Sequence, residues 1–199
     1  MKEKFITLLI LMAIGCRAQN PILDISEEEG WNNIQGAYYK DIHNLLDPFE
    51  GTYVYANGNT IFKIVLQKKL MSSMGDYYYE DLLIGEYQYI ENGIDKVNTL
   101  NKLNIDYSNK SNHSIDTNFI ITSGDVGCEE CQPGEKALYA GLVDSSTNST
   151  ALLIIRQIVV NNQPAIKIFI GWEMKAHREG TPEPMRASFP GGYYTLLKQ

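Results

Sequence analysis

The chain has 199 residues, 44% of them hydrophobic, and a formal charge of −7. That length suits one ordinary domain with short tails, and that apolar content fits a packed core and excludes wholesale disorder. The acidic balance, with no Lys/Arg run longer than the pair Lys68-Lys69, excludes a nucleic-acid binder, whose affinity rests on cations neutralising phosphates.

Residues 1–18 read as a signal peptide. Lys2 and Lys4 precede an apolar stretch, Phe5 to Ile14, that is too short to span a membrane. Two processing routes fit. Ala13-Ile14-Gly15-Cys16 resembles a lipobox, which would leave Cys16 lipidated at the new N-terminus. Cleavage after Ala18 would instead release a chain starting at Gln19. Residues 19–37, with the acidic run Glu27-Glu28-Glu29, are expected to be a tether, and residues 38–199 a single domain. Tyr38, Ile42, Leu45 and Leu46 recur at helical spacing before Asp47-Pro48, which predicts a short helix covering one end of the domain.

From Phe49 the pattern has period two. Phe49, Gly51, Tyr53 and Tyr55 share a face; after a turn at Asn57-Gly58, Phe62, Ile64, Leu66 and Lys68 share another. Asn-Gly tolerates the left-handed backbone that a two-residue hairpin requires. Lys68-Lys69 is expected to be a solvated strand end. A third strand places Leu83, Gly85, Tyr87 and Tyr89 against Ile84, Glu86 and Gln88, and Asn92-Gly93 turns the chain again. Asp95 to Ile105 is a weaker strand candidate, and Ser108 to Ser114 a polar loop. Asn118 to Thr122 and Ala137 to Val143 follow as strands.

Between these last two lies Cys128-Glu129-Glu130-Cys131, framed by Gly127 and Pro133-Gly134. A redox dithiol needs a stabilised thiolate, which two intervening glutamates oppose. A zinc site needs further ligands, and His43, His113 and His177 are scattered singly. A small disulfide stapling a loop tip is expected for Cys128 and Cys131, and it suits an oxidising compartment. Asp144 to Thr150 is turn chemistry and lacks the Gly and terminal Glu of a calcium loop. Ala151 to Val160 is the most apolar strand. It turns at Asn161-Asn162 into Ala165 to Met174, where Ile166, Ile168, Ile170 and Trp172 share a face. A charged loop, Lys175 to Pro190, precedes the last strand, Gly192 to Lys198.

About eight or nine strands joined by short turns predict an all-β domain, an antiparallel up-and-down β-barrel, with a β-sandwich as the alternative. Closure is favoured because it removes the edges that an apolar meander would expose. Charged and amide groups at Lys63, Gln67, Glu86 and Gln88 would interrupt the lipid-facing band of an outer-membrane barrel.

No G-x-S-x-G, triad order or Gly-rich phosphate loop is present, and no cofactor is expected. Asp76, Glu80, Asp81 and Glu86 cluster near the Tyr77-Tyr78-Tyr79 run and could serve a glycosidase, but carboxylates beside a loop are usually solvated. Tyrosine stands out: Tyr53, Tyr55, Tyr87 and Tyr89 alternate on two strands. They are the candidate ligand-binding residues, because tyrosine supplies apolar area and a hydroxyl. Packing inside a barrel, with hydroxyls at a polar rim, would use the same residues.

The segment Phe49-Glu50-Gly51-Thr52-Tyr53 resembles the first strand of calycin or lipocalin-like barrels, with Tyr53 at the position usually held by Trp. The segments GCRAQ, YYKDIHNLLDPFEGTY, YYEDLLIGEYQYIENG, CEECQPGEK, AIKIFIGW and SFPGGYYTLLKQ span most of the mature chain, and through them it resembles uncharacterised exported proteins of Bacteroidota, classed as a domain of unknown function. The resemblance implies export and a shared fold, and no activity. The expectation is a non-enzymatic, lipid-anchored envelope barrel binding a small apolar ligand or an envelope protein, touching membrane only through its lipid. An envelope hydrolase acting on glycans and a purely structural or assembly protein are the alternatives.

Overall fold

Alternation in the sequence becomes eleven strands in one sheet among the described residues: β1 (Ile22–Asp24), β2 (Tyr38–Lys40), β3 (Gly51–Asn57), β4 (Thr60–Met74), β5 (Tyr78–Glu91), β6 (Ile94–Asn98), β7 (Ile115–Thr122), β8 (Lys136–Asp144), β9 (Ser149–Val160), β10 (Gln163–Trp172) and β11 (Gly192–Lys198). The structure is a computed structural model describing residues 20–27, 34–125, 127–128, 130–173, 180 and 186–199, with residues 111 and 118 described for backbone alone. The signal-peptide and lipobox readings, Cys16 included, lie outside the described residues.

Eight strands close an antiparallel barrel in the order β3-β4-β5-β7-β8-β9-β10-β11, and β11 returns to β3 through Leu197↔Val54 and Lys198↔Tyr53. The predicted meander is therefore present, as a barrel rather than a sandwich. One edge of β5 serves three partners along its length: β2 in parallel at Tyr79 and Glu80, β7 at Leu83 to Gly85, and β6 at Gln88 to Glu91. The crowding explains Gly85, where a Cβ would lie 2.7 Å from Leu66 Cδ2 and 3.2 Å from Ile115 Cβ. The interior follows the predicted faces, with Tyr53, Phe62, Ile64, Leu66, Leu83, Tyr87, Ile166, Ile168 and Ile170 in one buried cluster. Burial of so many large side chains is the main stabilising contribution.

Hairpin chemistry holds at Asn92-Gly93 (φ 54° and 74°) and Asn161-Asn162 (φ 49° and 64°). The first hairpin turns one residue later than the Asn-Gly rule suggests. Asn57 pairs with Thr60, so Gly58 and Asn59 are the turn centres and only Gly58 has positive φ. A glycine at the first centre is the alternative two-residue solution.

The short helix predicted from Tyr38 to Leu46 is absent. Tyr38–Lys40 is strand β2, paired in parallel with β1 and β5, and only Asp47–Phe49 makes a 3-10 turn. The reason is Asp41. Its carboxylate accepts from the backbone N–H of Leu45 (2.7 Å) and Leu46 (2.9 Å), so side-chain bonds replace the helical ladder. Asp81 fixes the same segment from the barrel, accepting from Tyr38 OH (2.6 Å), Asp41 N (3.0 Å) and Met71 N (2.9 Å). Burial and then the Asp81 carboxylate push the Tyr38 phenol up to about 12. Lys68 is not a solvated strand end. Its ammonium bonds Asp41 (2.8 Å) and Asp47, and these two carboxylates outweigh burial and hold it above its ordinary value.

At the upper end of the barrel, Phe189 inserts among Phe62, Tyr87, Tyr89 and Trp172, with ring centroids 4.8–5.6 Å away. Asp144, fully buried, holds that plug. It accepts from Ser188 N (2.7 Å), Ser146 N (3.0 Å), Ser146 Oγ (2.6 Å) and Thr147 Oγ1 (3.0 Å). Burial raises the Asp144 pKa, but bonds from Ser146, Ser188 and Thr147 outweigh it and hold the group below its ordinary 3.8. A depressed carboxyl stabilises the fold above its unfolded pKa, and that stability is lost as pH falls through the folded value. Asp144→Asn is therefore expected to lower the melting temperature at pH 7, with the gap to the parent narrowing below about pH 4. Melts at pH 7 and pH 3 showing equal gaps would contradict this.

Candidate functional site

The β9–β10 hairpin overhangs the lower end of the barrel. Pairing places Gln157 opposite Ile166 and Val159 opposite Pro164, so all four face the barrel axis with Tyr53 and Lys198. Tyr53, Gln157, Val159, Pro164 and Lys198, with Pro48 from the 3-10 turn and Ile158 and Ala165 at the side, line a cavity of about 600 Å³. Its walls are chiefly apolar, and Val159 is 71% exposed at the rim. Small-molecule sites have this size and character, and barrel mouths are a usual place for them.

Three groups give the mouth polarity. Tyr53 OH donates to Phe49 O (3.0 Å), and burial pushes the phenol up to about 12, so it stays neutral. Lys198 folds its stem over Gly51, where a Cβ would be 2.7 Å from Lys198 Cε, and sets Nζ 5.5 Å from the Tyr53 ring centroid. The ammonium has no carboxylate partner among the described residues, and neither does the Gln157 side-chain amide have a hydrogen bond there.

Of the four candidate tyrosines, Tyr53 alone lines this cavity. The other three belong to the upper aromatic cluster: Tyr87 and Tyr89 pack on Phe62, and Tyr55 on Tyr194 at 5.3 Å. Tyr87 OH donates to Val143 O (3.1 Å). Lys198, Gln157, Val159 and Pro164 were not singled out from the sequence. For Lys198 a signal existed: continuing the alternation of Tyr194 and Leu196 puts it on the inner face.

Cys128 and Cys131 lie at disulfide distance, with Cα atoms 5.0 Å apart, and pack on Ala137 and Ile121. Glu130 of that loop bonds Lys167 Nζ (2.6 Å), and Arg156 bonds Glu135 through Nε (2.7 Å) and Nη2 (2.9 Å). Behind them a second cavity, of about 310 Å³, sits on the outer wall over Leu152, Ile154, Phe169 and Tyr193.

The carboxylates from Asp76 to Glu86 do not share a cleft, and most are not solvated as expected. Asp76 is exposed, whereas Glu80, Asp81 and Glu86 are buried. Asp81 is spent on the N-terminal segment, as described above. Glu86 lies on the outer face of β5 beneath residues 99–114, accepting from Ser114 Oγ (2.6 Å) and N (3.3 Å) and paired with His113 Nδ1 (2.9 Å). His113, taken from the sequence as an isolated histidine in a polar loop, is fully buried, and its Nε2 has no hydrogen-bond partner among the described residues.

No group of three or more His, Cys, Asp or Glu among the described residues is placed to hold a metal ion. No helix among them is long and apolar enough to cross a membrane. Comparison with known proteins finds no curated protein and no solved structure that matches the chain. A family does match, across residues 1–199, and the chain belongs to it: DUF6705, a family of unknown function.

Proposed function

We propose that the protein is an exported, lipid-anchored envelope protein whose barrel binds a small, largely apolar ligand at its lower mouth. The cavity of about 600 Å³ lined by Tyr53, Val159 and Pro164 carries this reading. Export is supported by the charged start and apolar stretch before Cys16, and by a Cys128–Cys131 pair suited to an oxidising compartment. A glycan hydrolase has less support, because it needs two carboxylates facing one substrate, and those of Asp81 and Glu86 are bonded to separate segments.

Two measurements test the proposal. Native mass spectrometry of protein taken from its own envelope is expected to show N-terminal lipid on Cys16 and a retained ligand. The fluorescent probe N-phenyl-1-naphthylamine is expected to bind the parent and to bind Val159→Arg at least about tenfold more weakly, since a charge at the rim opposes entry of an apolar group. A chain beginning at Gln19 without lipid would remove the anchor, and equal probe binding by both proteins would remove the site.

A further inference from the structure

Resting on that reading, we infer that the occupant is an anionic amphiphile, whose apolar body fills the lower mouth and whose single carboxylate or phosphate head pairs with Lys198. The argument starts from charge. An ammonium held against an apolar surface is disfavoured unless it gains a partner, and buried lysines normally have one. The other mouth-facing lysine of the lower end, Lys68, obeys this with Asp41 and Asp47. Lys198 is half-buried, and the described residues offer it only the face of the Tyr53 ring. A ring face is a weak substitute for an anion.

Geometry agrees with charge. The Lys198 stem is fixed over Gly51, a position that only a residue without Cβ could hold so closely, which leaves the ammonium at the cavity wall. The Gln157 amide, also on that wall and without a hydrogen bond among the described residues, can donate to the same head group. The remaining lining, Pro48, Tyr53, Ile158, Val159, Pro164 and Ala165, offers an apolar body a surface and no charge. A neutral head would leave Lys198 unpaired, and a cationic one would face it.

The test is displacement of N-phenyl-1-naphthylamine from the mature chain by four ligands sharing one alkyl tail: dodecanoate, dodecyl phosphate, dodecanol and dodecyltrimethylammonium, each below its aggregation concentration. Either anion is expected to bind about tenfold or more tightly than the alcohol, the size of a charge-assisted bond, with the cation weakest. The ranking of the two anions then separates a free carboxylate from a lipid phosphate. Lys198→Met keeps the stem's packing and removes the charge, so it is expected to erase the preference while still binding dodecanol; Lys198→Arg is expected to keep it. Equal binding of anion and alcohol by the parent, or a preference that survives in Lys198→Met, would overturn the inference and leave the cavity intact. Failure of all four to bind would overturn the cavity itself.

Discussion

Glu86→Ala is expected to destabilise the protein by about 3–5 kcal/mol, measured as loss of unfolding free energy in urea, because it breaks a fully buried polar cluster from its acceptor side. Glu86 is 0% exposed although it stands on the outer face of β5, where a barrel strand ordinarily meets water. Residues 99–114 cover it, and its carboxylate takes Ser114 N, Ser114 Oγ and His113 Nδ1. Without it, two or three donors stay buried with no acceptor and a cavity opens beneath the covering segment. His113 Nε2, buried beside the carboxylate's partners, already lacks a hydrogen bond among the described residues, so the ring gains nothing there to offset the loss. Ser114→Ala removes one donor and leaves the carboxylate bonded to His113, so its cost is expected to be about 1 kcal/mol. A loss under about 1 kcal/mol for Glu86→Ala would show that water reaches the carboxylate.

Glu86 also marks the limit of what the chain reveals before folding. Period two assigned the inner faces of β3, β4, β5 and β10 correctly, because an alternating strand has one way to bury its apolar side. It could not say that the outer face of β5 is buried too. That depends on His113 and Ser114, at the end of a polar run, reaching back to bond Glu86, and pattern within a segment carries no record of what lies on top of it. The misread helix from Tyr38 to Leu46 fails for a related reason: its apolar spacing was compatible with a helix, but Asp41 and a distant Asp81 supply bonds that favour an extended segment. The site was half legible. Tyr53 and Lys198 follow from alternation, whereas the overhang that places Gln157, Val159 and Pro164 around them is set by register and closure of the barrel.

Phe62→Ala is expected to cost about 3–5 kcal/mol, which in a chain of this size lowers the melting temperature by on the order of 10 °C. Phe62 is fully buried at the hub of the upper cluster, with ring centroids of Phe189 and Tyr194 at 5.3 Å, Tyr89 at 5.7 Å and Tyr87 at 6.0 Å. The loss combines transfer of the ring, the void left behind and several edge-to-face contacts of about 0.5–1.5 kcal/mol each. Its neighbour Ile61 points outward and is 42% exposed, so Ile61→Ala is expected to cost only about 0.5 kcal/mol. The pair tests which face of β4 is turned inward, since a one-residue slip in register would exchange the two outcomes. Binding of an amphiphile at Tyr53 and Lys198 is expected to persist in folded Phe62→Ala, because Phe62 packs at the opposite mouth with Phe189. Loss of binding while the variant remains folded would mean that the two ends of the barrel are coupled through the interior.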